Sequence, residues 1–212
     1  GPRLGAERYA QDAAGLSVPT VRDGSVLETR VRLAPERNTA LSGLYLSGTS
    51  ETGFLLTQCE AQGFRRITFF TDRPDVLARY RVTLRADKTR FPVLLANGNP
   101  TSTGELPGGR HLACWDDPHP KPSYLFALVA GRLERPAAEA DVLIAAIGRA
   151  EFVTAEGRRV AIGIWTEPEY LDRCGYALDA LQRAMRWDEQ HYGRCYDLDA
   201  FNLVATRDFN MG

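Results

Sequence analysis

Apolar residues in this chain keep a period of two up to about Gly131 and a period of 3.6 further on, and that change constrains the fold more than any other feature. Residues 26–33 read VLETRVRL, 80–84 read YRVTL, and 91–96 form the compact apolar run FPVLLA. Residues 65–70 are a further strand candidate, and 123–129 (SYLFALV) are apolar enough to be buried on both faces. Between these runs stand turn dipeptides, Asn97-Gly98 and Gly108-Gly109 among them, within the turn-rich stretch 97–109. Short strands at such intervals predict an antiparallel β domain, a sandwich or a curved sheet.

After Gly131 the texture differs. Residues 161–165 and 201–205 read as strands, and Pro168 closes the first of them. Between them Leu171, Cys174, Leu178, Leu181 and Met185 recur at three- and four-residue steps, which predicts one helix over about 169–191 with Gly193 as its stop. The expected organisation is therefore mainly β. A β domain spans 1–131, and an α+β segment spans 132–212.

Bulk properties narrow the function mostly by exclusion. The 212 residues are 44% hydrophobic and 25% charged, an ordinary globular balance. With 26 basic and 27 acidic residues the net charge is −1, so no footprint for nucleic acid or an anionic membrane shows. No apolar run approaches the roughly 18 residues that a spanning helix needs, and the first residues lack a signal-peptide pattern. Cys59, Cys114, Cys174 and Cys195 are scattered without metal-site or disulfide-framework spacing. They read as reduced thiols of a cytoplasmic protein.

Chemistry is sparse. His111, His119 and His191 do not pair at helical zinc spacing, and there is no HExxH. Cys114 lies three residues from His111, but strand neighbours at odd spacing face opposite ways, which argues against a thiol nucleophile and its base. Asp116-Asp117 and the pair Asp197/Asp199 read as solvated turn carboxylates. Taken alone, the residues describe a two-part, β-rich globular chain. A stand-alone, non-catalytic module that binds peptides or another protein is compatible with them.

Several longer blocks add a resemblance. NTALSGLYLSG (38–48), TQCEAQGFRRITFFTDRPDVLARYRVTLRADK (57–88), FPVLLANGN (91–99) and PKPSYLFALVAG (120–131) resemble the N-terminal β domain of bacterial aminopeptidase N, a family of zinc exopeptidases. MRWDEQHYGRCYDLD (185–199) and DFNMG (208–212) are similar to the opening of its thermolysin-like catalytic domain. The match runs in order from about Val26 to Gly212. It implies removal of N-terminal residues from peptides, with zinc as cofactor. The implied partners are peptides with a free N-terminus and the remainder of the catalytic domain. In this family a Gly-Ala-Met-Glu-Asn motif precedes HExxH, and Gly212 would be that motif's first residue. No zinc is therefore expected on these 212 residues, which by themselves should be inactive.

The resemblance also assigns roles. Glu60, the third residue of Gln58-Cys59-Glu60, matches the glutamate that binds the substrate's free α-amino group, and Gln58 would add an amide contact. Met211 matches a methionine capping the pocket for the first side chain. Gly212 would offer its backbone to the extended peptide.

Overall fold

A computed structural model describes residues 9–12, 15–19, 21–133 and 150–209. A small hairpin comes first, of β1 (Ala10–Gln11) and β2 (Leu16–Ser17). Two antiparallel sheets then build the main β unit. One contains β3 (Gly43–Ser47), β4 (Phe54–Gln58), β6 (Val93–Ala96) and β9 (Leu128–Gly131), in the order β3-β4-β9-β6. The other has β8 (Arg110–Pro122) between β5 (Leu77–Asp87) and β7 (Asn99–Leu106). Tyr45, Phe54, Leu56, Leu94, Leu95, Ala113, Trp115 and Val129 form their shared core. The Trp115 indole N–H donates to the Leu94 carbonyl at 3.2 Å, tying β8 to β6 through a buried contact.

The second part carries a three-stranded sheet of β10 (Ala150–Val153), β11 (Arg159–Trp165) and β12 (Ala200–Val204). β10 runs antiparallel to β11, whereas β11 and β12 are parallel. Parallel neighbours need a crossover, and α1 (Cys174–Tyr192) lies in it. Its stripe of Cys174, Leu178 and Met185 packs on Phe152, Val160, Ile162 and Ile164. The first turns that the sequence assigns to this helix are instead a 3-10 segment, Pro168–Arg173. Gly193 ends the helix at φ 60°, the left-handed cap that glycine adopts without strain.

The expected class, mainly β with antiparallel sheets, is what the chain adopts. Particular segments differ. Residues 26–33 alternate as expected but form no ladder with any described strand, and Val26 is 93% exposed. Alternation marks a half-buried surface, and a strand also needs a neighbour to bond. The expected strand over 65–70 is a 3-10 turn, Phe64–Arg66, followed by irregular chain. There Asp72 takes the backbone N–H of Arg65, and Phe64 and Phe70 meet edge to face at 5.1 Å instead of alternating. Asn97-Gly98 does turn the chain, with Gly98 at φ 87°, but much of the expected loop after it is the polar edge strand β7. The apolar run 123–129 opens as a 3-10 turn, Ser123–Leu125, and enters β9 only at Leu128.

Candidate functional site

β4 lies inside its sheet, bonded to β3 on one side and β9 on the other. Its last residue, Gln58, pairs with Gly43 and is buried, as is Cys59, and Glu60 emerges into solvent one step later. The Gln58 side-chain amide donates to the Glu60 carbonyl at 3.4 Å, so the two candidate recognition residues share one turn. Beyond them the chain doubles back, and the Gly63 N–H donates to the Cys59 carbonyl at 2.7 Å. A Cβ at Gly63 would collide with the Gln58 carbonyl and lie 2.9 Å from the Gly43 nitrogen. Only glycine permits that crossing.

Beneath the turn lies a buried cluster of Cys59, Phe64, Tyr80 and Phe126. Burial, and secondarily the charge of Asp72, pushes the Cys59 thiol up to about 12, so it stays protonated and inert. The Asp72 carboxylate accepts from Ser123 Oγ at 2.5 Å and from the Arg65 backbone and Nε at 3.0 and 3.1 Å. Arg65 Nη2 also donates to the Asp72 carbonyl at 2.7 Å. Burial alone would raise the Asp72 pKa, but the Ser123 and Arg65 hydrogen bonds outweigh it and hold the group below its ordinary value.

A second set of contacts brings the end of the described chain onto β3. Tyr45 Oη donates to the Asp208 carbonyl at 2.7 Å, and Asp208 Oδ2 accepts from Ser47 Oγ at 2.9 Å and from the Gly48 N–H at 2.8 Å. The preceding residue turns the other way. Arg207 grips the buried Glu167 through Nε at 3.0 Å and Nη2 at 2.5 Å, and reaches Glu169 at 2.9 Å. Glu60 and Asp208 thus flank the same β3–β4 pair. Met211 and Gly212 lie outside the described residues.

Other candidates are not brought together for chemistry. His111 Nε2 donates to the Phe91 carbonyl at 2.7 Å, and Cys114 lies beside Thr83 at 3.6 Å, so these two do not form a nucleophile–base pair. Asp117 is not a solvated turn residue but a buried one, ion-paired with Lys121. Asp116 pairs with Arg81, Asp197 with His119 and Asp199 with Arg158, all at the surface. The four cysteines are free thiols. A cavity of about 210 Å³ between β6, β9 and β12 has mainly apolar walls, and its polar Asn97 and Asp117 are already committed to protein partners. Among the described residues no helix is long and apolar enough to cross a membrane.

Residues 20–125 match the family model of the Peptidase M1 N-terminal domain. The chain belongs to the M1 peptidase family. This M1 chain is 52% identical, over 212 residues, to aminopeptidase N of Caulobacter vibrioides, covering all of the chain and 23% of that protein. It is 45% identical over 208 residues to aminopeptidase N of Haemophilus influenzae, covering 96% of the chain and 22% of that protein. Among solved structures, Legionella pneumophila aminopeptidase A in complex with aspartic acid matches 99% of the chain and 23% of its own, with a TM-score of 0.80 and 31% identity. The chain spans about a quarter of the length of the curated relatives it matches. Homologues of this M1 chain are therefore bacterial aminopeptidase N, and it carries their N-terminal domain.

Asp72 and Ser123, which brace the loop after Gln58, and Glu167 and Asp208, which hold the end of the described chain, carry no sequence signal as buried or bridging groups. Each is an ordinary polar residue in a loop or beside a strand, and only the fold shows which ones are enclosed.

Proposed function

We propose that this M1 chain supplies the substrate-amine recognition wall of a zinc aminopeptidase that removes N-terminal residues from peptides. The observation that carries the reading is the Gln58–Glu60 turn: a solvent-facing carboxylate presented next to a buried amide at the end of an interior strand. An exopeptidase must bind a terminal ammonium, and a carboxylate held on a rigid support selects the charged amine and sets cleavage one residue in. Gln58 would add an amide contact to the first substrate residue, as its match to the family implies. Met211 and Gly212 would continue the pocket wall, as their match to the family implies. Its partners would be peptides with a free N-terminus and the rest of the catalytic domain, with thermolysin-like architecture, in the cytoplasm.

Zinc would polarise the scissile carbonyl and activate water in the complete enzyme. Among the described residues no three His, Cys, Asp or Glu side chains are grouped to hold a metal ion, so they do not fit that role. Their contribution is binding and orientation.

The test is Glu60→Gln in the complete enzyme. It removes the charge while keeping shape, and losing one charge-assisted contact should cost about 1.5–3 kcal/mol. That corresponds to roughly one to two decades in kcat/KM on an aminoacyl reporter, with an unchanged melting temperature. Unchanged kinetics with a large fall in melting temperature would leave Glu60 a structural carboxylate and end its anchoring role.

A further inference from the structure

Asp72 does not face solvent and touches neither Gln58 nor Glu60 through any hydrogen bond, yet it closes the loop that begins with them. Its side chain is 2% exposed, and one of its oxygens takes two N–H groups of Arg65 while the other takes the Ser123 hydroxyl. Arg65 sits in the 3-10 turn Phe64–Arg66, directly after the Gly63 crossing that clasps the Cys59 carbonyl. Ser123 is 1% exposed and opens the 3-10 turn that leads into β9, the neighbour of β4. Phe64 is wedged between Phe126, at 5.0 Å, and Tyr80, at 5.9 Å, so its turn cannot slide independently. One buried carboxylate thus fastens the far end of the Gln58–Arg66 loop to the segment beside the strand that carries its near end.

We infer that Asp72 is a positioning residue for amine recognition: through Arg65 and Ser123 it sets where the Glu60 carboxylate stands. This rests on Glu60 being the amine anchor. A carboxylate displaced by about 1 Å loses much of its advantage for a charged amine, so the effect should fall on substrate capture more than on the chemical step.

The experiment compares Asp72→Asn, Ser123→Ala, Glu60→Gln and the Asp72→Asn/Glu60→Gln double variant in the complete enzyme, with an aminoacyl reporter bearing a free amine. Asp72→Asn should raise KM about five- to twentyfold, the scale of one displaced charge-assisted contact, with kcat changed less than about twofold. Ser123→Ala keeps the Arg65–Asp72 pair and should shift KM in the same direction by less. In the Glu60→Gln background the added effect of Asp72→Asn should nearly vanish, because both act on one contact. A fall in kcat at unchanged KM marks a smaller folded fraction and overturns the inference, as does full additivity with Glu60→Gln. If Glu60→Gln leaves KM unchanged, the amine-anchor reading itself fails and takes the role of Asp72 with it. If Glu60→Gln raises KM while neither Asp72→Asn nor Ser123→Ala does, only the role of Asp72 falls. Should Asp72→Asn not accumulate as folded protein, Ser123→Ala alone and combined with Glu60→Gln supplies both readouts.

Discussion

Asp72 is charged, enclosed and fully bonded, and those three properties make it a pH-sensitive contributor to stability. Its folded pKa lies below the unfolded value of about 3.9. The sign follows from linkage: the stabilisation is fully present above the unfolded pKa and is lost as pH falls through the depressed folded pKa. The neighbouring Tyr80 and Cys59 keep their form in that window, because burial holds both protonated. The stability gap between wild type and Asp72→Asn should therefore narrow as pH is lowered from about 5 toward 3. Denaturant midpoints at several pH values measure it, and a gap independent of pH would mean that Asp72 is not ionised in the folded chain. The resemblance singles out Glu60 directly, by its neighbours in the sequence. Asp72 was not legible there, since burial of a polar side chain depends on what the fold places over it, here Ser123 from 51 residues on.

At the scale of elements, the apolar stripe of α1 was readable almost residue by residue, because a helix encodes its buried face locally. Gly193 was readable for the same reason, and its φ of 60° explains its place. Gly193→Ala should cost about 1 kcal/mol, the penalty for a Cβ in the left-handed region. The loss should be concentrated in the last turn, where the Gly193 N–H donates to the Glu189 carbonyl at 3.1 Å. Faster amide exchange near Trp187–Tyr192, with the β unit unaffected, is the expected signature, and an unaltered exchange pattern would contradict it. Strands were less legible. VLETRVRL has the correct alternation and no described ladder, whereas NPTSTGEL is polar and forms β7, because a strand is defined by its neighbours as much as by its own residues. Pro100 fits there only because the ladder slips between Pro100 and Ser102, on an edge strand that can spare an N–H.

Across the whole molecule, the two parts are joined by a pair of adjacent residues that reach in opposite directions, Arg207 to Glu167 and Asp208 to β3. Nothing in DFNMG announces this join. The sequence shows a charged pair, and which body each charge faces is a property of tertiary structure. Ser47 is completely buried, and its hydroxyl serves Asp208 and Thr206. Ser47→Ala should therefore destabilise the chain by about 1–2 kcal/mol, because the Asp208 carboxylate loses the donor that the fully buried Ser47 supplies. In a double-mutant cycle with Asp208→Ala the two losses should be markedly less than additive. Full additivity, read from chemical denaturation, would show that the contact does not join the parts.

The partners in this join stand 159 to 163 positions apart along the chain. Contacts so remote in sequence close late, after the shorter loops have already lost their entropy. During synthesis, Tyr45 and Ser47 leave the ribosome long before Thr206 and Asp208 do, and meanwhile two groups destined for burial have no partner. Completion of the β unit is thereby tied to arrival of the residues that follow β12. A polypeptide halted after β9 but before Thr206 would hold every strand of the two larger sheets and leave that edge of β3 unfinished, a surface of the kind that chaperones and proteases sample.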